Sequence, residues 1–232
     1  MLGMTAAVEA VRAGDVAALE RLLAESPELA SERVEGARTL LHVVTDWPGH
    51  FPGGPAVVDA LIRRGADVNA RFLGHHTETP LHWAASSNDV AVLDALLDRG
   101  ADIEADGAVI GGGTPLSDAV AFGCWKAARR LVERGAKVTL WQAAALGLLP
   151  RLEAFWDMAD RPSPAHVTNA FWSACHGGQR GAAEYLFARG ADVNWIGHDR
   201  LSPLDAARRS GAEELVTWLR SQGAVSASQR LQ

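Results

Sequence analysis

Four residues past six recurring opening positions, the sequence places Val43, Trp83, Asp118, Gln142, Trp172 and Ala206. The middle four combine two indole walls with one carboxyl and one amide. A carboxyl set among apolar neighbours is held protonated by desolvation and can act as a general acid or base. Gln142 could then orient a carbonyl or hydroxyl. Seven and eight residues past the same openings come Trp47, Phe122, Cys175 and His176, and His176 is the second candidate acid or base. Between helices lie His75, His76, Glu78, Trp195, His198 and Asp199. Aromatic walls with a few polar groups describe a small-ligand site, and equally a protein-binding hot spot. The alternative for Asp118 is structural: a carboxylate near a helix start, bonded to backbone N–H groups.

Other chemistries find less support. His75, His76, His176 and His198 could in principle meet, but no H-E-x-x-H or paired Cys/His spacing points to a metal. Gly111-Gly112-Gly113-Thr114-Pro115 matches a phosphate loop only in composition, because the lysine is missing. Cys175 has only His176 beside it as a basic partner. Neither a metal nor a cofactor is expected.

The elements that must position these groups repeat. Arg64-Gly65-Ala66-Asp67-Val68-Asn69 returns at Arg99–Ile103, Arg134–Val138 and Arg189–Asn194, with a weaker copy at Gln222–Ala224. A second phrase opens the units: Thr79-Pro80-Leu81-His82-Trp83-Ala84-Ala85, Thr114-Pro115-Leu116 and Ser202-Pro203-Leu204. Thr39–His42 and Thr168–Phe171 fill the same slot. Thr79 can cap a helix whose first turn holds Pro80, where a missing N–H is harmless. Val90, Val92, Leu93, Leu96 and Leu97 then recur at helical spacing, and Gly100 supplies the stop. A helix pair with one apolar face buries it only by stacking on its neighbours.

These phrases resemble the ankyrin repeat family, whose signature T-P-L-H-x-A is matched in full by Thr79, Pro80, Leu81, His82 and Ala84. The recurrence covers residues 4–224 and looks most like stand-alone bacterial ankyrin proteins. The resemblance implies a mainly α solenoid of helix-turn-helix units with β-hairpin fingers. About seven units are expected: an N-terminal cap at 4–38, repeats at 39–73, 74–108, 109–137, 138–163 and 164–197, and a C-terminal cap at 198–224. A flexible tail, 225–232, would follow. It further implies a concave groove lined by the first helices and the fingers. There His42 and His82 would tie adjacent turns together, and Trp83 and Trp172 would face a partner or ligand.

Spacing departs from the family period of 33. Gly65, Gly100 and Gly135 are 35 apart, and the surplus falls in the fingers 70–78 and 105–113. Gly135 to Gly190 spans 55, so a finger is missing. Gly147 then puts the start of the irregular helix at Val138. Trp47–Pro55, with three prolines, lengthens another loop and stiffens it.

Composition narrows the partners. The 232 residues carry 22 Lys and Arg against 28 Asp and Glu, a net charge of -6. That balance, without a basic run, suits neither nucleic acid nor an anionic membrane. Two cysteines build no disulfide framework, which fits a reducing, cytoplasmic compartment. Val138–Pro150 is uncharged but too short for a bilayer. The expected function is recognition of a partner protein or peptide in the groove. The rival is a small-molecule site, binding an apolar or aromatic ligand and possessing isomerase- or cyclase-type proton-transfer chemistry. It would be built from Trp47, His75, His76, Trp83, Asp118, Phe122, Gln142, Trp172, His176, Trp195 and His198. Oligomeric state cannot be read from the sequence.

Overall fold

The computed structural model describes residues 2–230. The chain divides into two compact units, Met1–Lys137 and Val138–Gln232. The division falls where the finger is missing from the sequence.

In the first unit the helices form four successive pairs. These are α1 (Leu2–Ala13) with α2 (Val16–Glu25), and α3 (Leu40–Thr45) with α4 (Gly54–Arg63). Next come α5 (Pro80–Ser86) with α6 (Val90–Asp98), and α7 (Pro115–Ala121) with α8 (Trp125–Glu133). First helices pack on first helices (α1, α3, α5, α7), and second helices on second helices (α2, α4, α6, α8). Alanines make the close approach possible: Ala84, Ala85, Ala119, Ala127 and Ala128 are buried beside Leu93, Leu96, Leu116 and Leu131.

The second unit pairs α9 (Leu140–Leu146) with α10 (Leu149–Ala154), α11 (Pro164–His176) with α12 (Arg180–Phe187), and α13 (Pro203–Arg209) with α14 (Glu213–Ser221). Phe171, Ala174, Ala183, Leu186 and Leu204 form its core. Where a loose tail is expected from residue 225, Ala227–Arg230 instead form α15. The Ala227 N–H donates to the Asp205 carboxylate at 2.7 Å, which ties this turn to α13. Leu231 and Gln232 lie outside the described residues.

Local chemistry explains the recurrent phrases. Thr79 is extended at the head of α5, and its N–H donates to His82 Nδ1 at 3.1 Å. The far nitrogen, His82 Nε2, donates to the Gly113 carbonyl of the next finger at 3.3 Å. His42 repeats the arrangement, capping Thr39 and reaching the Glu78 carbonyl at 3.2 Å. Each histidine therefore joins a helix cap to the following finger as a neutral ring. Burial lowers both pKa values, that of His42 to about 4. The Asp-Val-Asn phrase does similar work. Asn69 Oδ1 accepts from the Asp102 N–H at 2.8 Å, and Asn194 Oδ1 accepts from the Val225 N–H, also at 2.8 Å.

The fingers are turns rather than strands. Among the described residues no strand forms, and one isolated bridge joins Val34 and Arg38. Each finger is closed by one or two cross-bonds, such as Phe72 N–H to the Glu78 carbonyl at 2.8 Å. Side-chain links and single backbone bonds, such as Thr77 N–H to the Gly107 carbonyl at 3.3 Å, join neighbouring fingers in place of a longer ladder. The proline-rich loop after α3 is pinned as expected of a stiff segment: the His50 N–H donates to Asp89 at 2.7 Å. Gly14 is needed where this loop crosses the first hairpin, because a Cβ there would meet the Pro52 carbonyl.

Candidate functional site

In the first unit the polar chemistry converges on Glu78, at the foot of the finger before α5. Its Oε2 accepts from Trp83 Nε1 at 2.8 Å, and its Oε1 accepts from the Val109 N–H of the next finger at 3.0 Å. His76 Nδ1 lies 3.0 Å from Oε2 without forming a hydrogen bond. Phe72 stacks on His76 with centroids 4.7 Å apart and tilts against Trp83 at 5.5 Å. Asp118 is 0% exposed, and neither carboxyl oxygen has a hydrogen-bond donor. Burial, then the neighbouring Glu78 carboxyl, pushes its pKa up to about 9. Asp118 is therefore a neutral acid at pH 7. The Ile110 N–H beside it opposes the shift only partly.

The second unit gathers an aromatic group. Trp172 Nε1 donates to the Leu201 carbonyl at 2.9 Å. His176 stacks on the Trp172 ring at 5.5 Å, and His198 meets it edge-on at 5.0 Å. Trp195 and His198 are also edge-on, at 6.1 Å. His198 Nε2 lies 3.0 Å from Asn169 Oδ1. Arg209 pairs with Asp199 and reaches His176 Nδ1 at 3.4 Å. The Arg209 guanidinium holds the Asp199 carboxyl below its usual range. Gly197 is obligatory here, because a Cβ would strike both Trp195 and Trp172.

Several residues expected to line a groove are packed inside instead. Asp118 is sealed, Gln142 is 1% exposed and Trp172 is 4% exposed. Trp83, His76, His176 and Trp195 are half-buried, whereas His75 and His198 are exposed. Trp47 and Phe122 project into solvent, 81% and 52% exposed. The structure brings His76 and Trp83 to Asp118 through Glu78. Separately it gathers Trp172, His176, Trp195 and His198. Cys175 is buried and its thiol pKa is pushed up, which disfavours a thiolate.

Two registers differ from expectation. The irregular helix is capped by Thr139, not started at Val138, so Gln142 is the third residue and not the fourth. It occupies the slot of His42 and His82, and its Oε1 accepts from the Thr139 N–H at 2.9 Å. Its polarity serves the cap. Likewise α11 opens at Ser163, whose hydroxyl accepts from the His166 N–H at 3.3 Å, and Thr168 lies within the helix. Glu78, Asn169 and Arg209 are the partners that sequence reasoning did not assign. The Ser163-Pro164 pair, matching Ser202-Pro203, was an available signal for the second register.

Paired helices, Thr or Ser caps, a histidine bridge to the next finger and an Asn ladder decide the architecture. Residues 50–142 also match a family model described as ankyrin repeats in three copies. The architecture is that of ankyrin repeats. The chain is 39% identical over 51 residues to the ankyrin repeat and KH domain-containing protein CBG24701 of Caenorhabditis briggsae. That stretch is 22% of the chain and 2% of the worm protein. In fold it is similar to the human ASB11 ankyrin repeat domain. The TM-score is 0.56 at 21% identity, covering 92% of this chain and 96% of that one. No helix among the described residues is long and apolar enough to cross a membrane.

Proposed function

We propose that the ankyrin chain is a recognition scaffold that grips a partner protein or peptide with exposed apolar side chains of its first unit. The observation that carries this reading is the finger of residues 107–113. Its tip exposes Val109 and Ile110, 50% and 44% accessible. The turn is nonetheless fixed, with Gly107 N–H to the Gly112 carbonyl at 3.1 Å and Ala108 N–H to the Gly113 carbonyl at 3.0 Å. Rigidly presented aliphatic surface favours association, because little conformational entropy is lost on binding. Leu73 on the preceding finger and Phe122 and Trp47 beyond the ends of first helices extend the same chemistry.

The burial of Asp118, Gln142 and Trp172 argues against a ligand pocket centred on them. A ligand would reach Asp118 only after the packing opened.

A photo-crosslinking amino acid at position 109 or 122, with position 98 on α6 as control, tests the scaffold reading. The same protein should be captured from 109 and 122 and not from 98. Equal capture from all three positions would contradict it.

A further inference from the structure

Three polar side-chain atoms among the described residues are buried without a hydrogen-bond partner: Asp118 Oδ1, Asp118 Oδ2 and His76 Nδ1. All three belong to residues beside Glu78. Both Glu78 oxygens already accept, from Val109 and Trp83. Asp118 thus brings two more acceptors, and the nearby Ile110 N–H offsets their burial only partly. As ionised groups the two carboxylates would repel in a medium that screens them poorly.

Of the surrounding charges, His76 lies against Glu78, with Nδ1 3.0 Å from Oε2, and none is among the groups that act on Asp118. From α5 and α3 come His82 and His42, neutral rings whose nitrogens serve helix caps and finger carbonyls. From the finger before α5 come His75, which is exposed, and His76 and Arg71. Arg71 pairs with Asp106 and donates to the Thr77 carbonyl. Helix α8, packed on α7, carries Lys126, Arg129, Arg130 and Glu133, and Arg130 is engaged by Asp94 and Glu133. A proton on Asp118 resolves the conflict, because it turns one acceptor into a donor aimed at Glu78.

We propose that Asp118 and Glu78 share one proton, and that this proton seats the finger of residues 107–113. With the proton in place, Glu78 lies against Asp118 and holds the Val109 amide. When base removes it, the O–H bond of the Asp118 carboxyl breaks and two negative charges face each other. Glu78 then swings away, Val109 loses its acceptor, and the tip carrying Val109 and Ile110 loosens. This device stands whether or not the tip binds a partner. It is also the reason a carboxyl occupies a slot where Ala206 and Val43 serve in sister units.

Carboxyl carbon and amide NMR titration of the full chain tests the proposal. The Asp118 Cγ resonance should move with a midpoint near pH 9, and the Val109 amide should move with the same midpoint. In Asp118→Asn the Val109 step should vanish. In Glu78→Gln the Asp118 midpoint should fall by about one unit or more, because the neighbouring charge is gone. An Asp118 midpoint in the ordinary carboxylate range, or a Val109 amide that stays flat through the Asp118 step, would overturn it. The wild-type titration decides even if a variant fails to fold.

Discussion

Two buried polar side chains, Asp118 in the first unit and Gln142 in the second, look alike in the sequence and differ in the structure. Both sit in short first helices and both are withdrawn from solvent. Gln142 caps its own helix, so its carbonyl oxygen takes a backbone N–H that would otherwise lack a partner. Asp118 caps nothing and faces another acid. A buried polar group is therefore structural or strained according to its partners, not its burial. Trp172 belongs with Gln142, since its indole N–H is satisfied by the Leu201 carbonyl.

The contrast can be broken by substitution. The largest effect is expected from Trp172→Ala, which empties a core site and strands the Leu201 carbonyl. Denaturant titration should show a loss of about 3–5 kcal/mol. Asp118→Asn should move the other way, stabilising the chain by about 2–4 kcal/mol at pH 8. The folded Asp118 holds its proton to about pH 9, while the unfolded one loses it near 3.8. Folding therefore takes up a proton between these values, and wild-type stability falls as pH rises through that window.

His42 sharpens the comparison from the acid side. Its folded pKa is about 4 against 6.5 unfolded. Stability from this group is full above pH 6.5 and is lost as pH falls toward 4, by about 2–3 kcal/mol. His42→Gln should flatten that limb in a pH series of melts. Gln142→Ala should remove a cap and cost about 1 kcal/mol by the same denaturant assay. Smallest of all, Val109→Ser should change stability by less than about 0.5 kcal/mol, since the side chain is half exposed. A comparable loss at Val109 and Gln142 would erase the distinction between presented and packed residues.

Much of the fold was legible because the cap and stop residues are local and recur. Thr79-Pro80 with His82, and Gly100 with Asp102, state where helices begin and end. The register failed where that punctuation was altered. Gln142 replaces the cap histidine, and counting back from Gly147 placed it one residue late. Thr168 mimicked an opening Thr inside a longer helix that Ser163 starts. For the site, Asp118 stood out as the carboxyl in a row that otherwise holds Val43, Trp83, Gln142, Trp172 and Ala206. Its partner did not, because Glu78 is 40 residues earlier and meets it only through folding. Exposure was also misjudged: a position expected to face a groove is covered wherever a finger lies over it, as Glu78 and the Ile110 region lie beside Asp118.

The unfolding free energy of wild type and Asp118→Asn, measured from pH 5 to pH 10, tests the buried acid most directly. The gap between the curves should widen steadily with pH and level off above about pH 9. Parallel curves would mean that Asp118 is ionised in the folded protein and that its proton is not part of the structure.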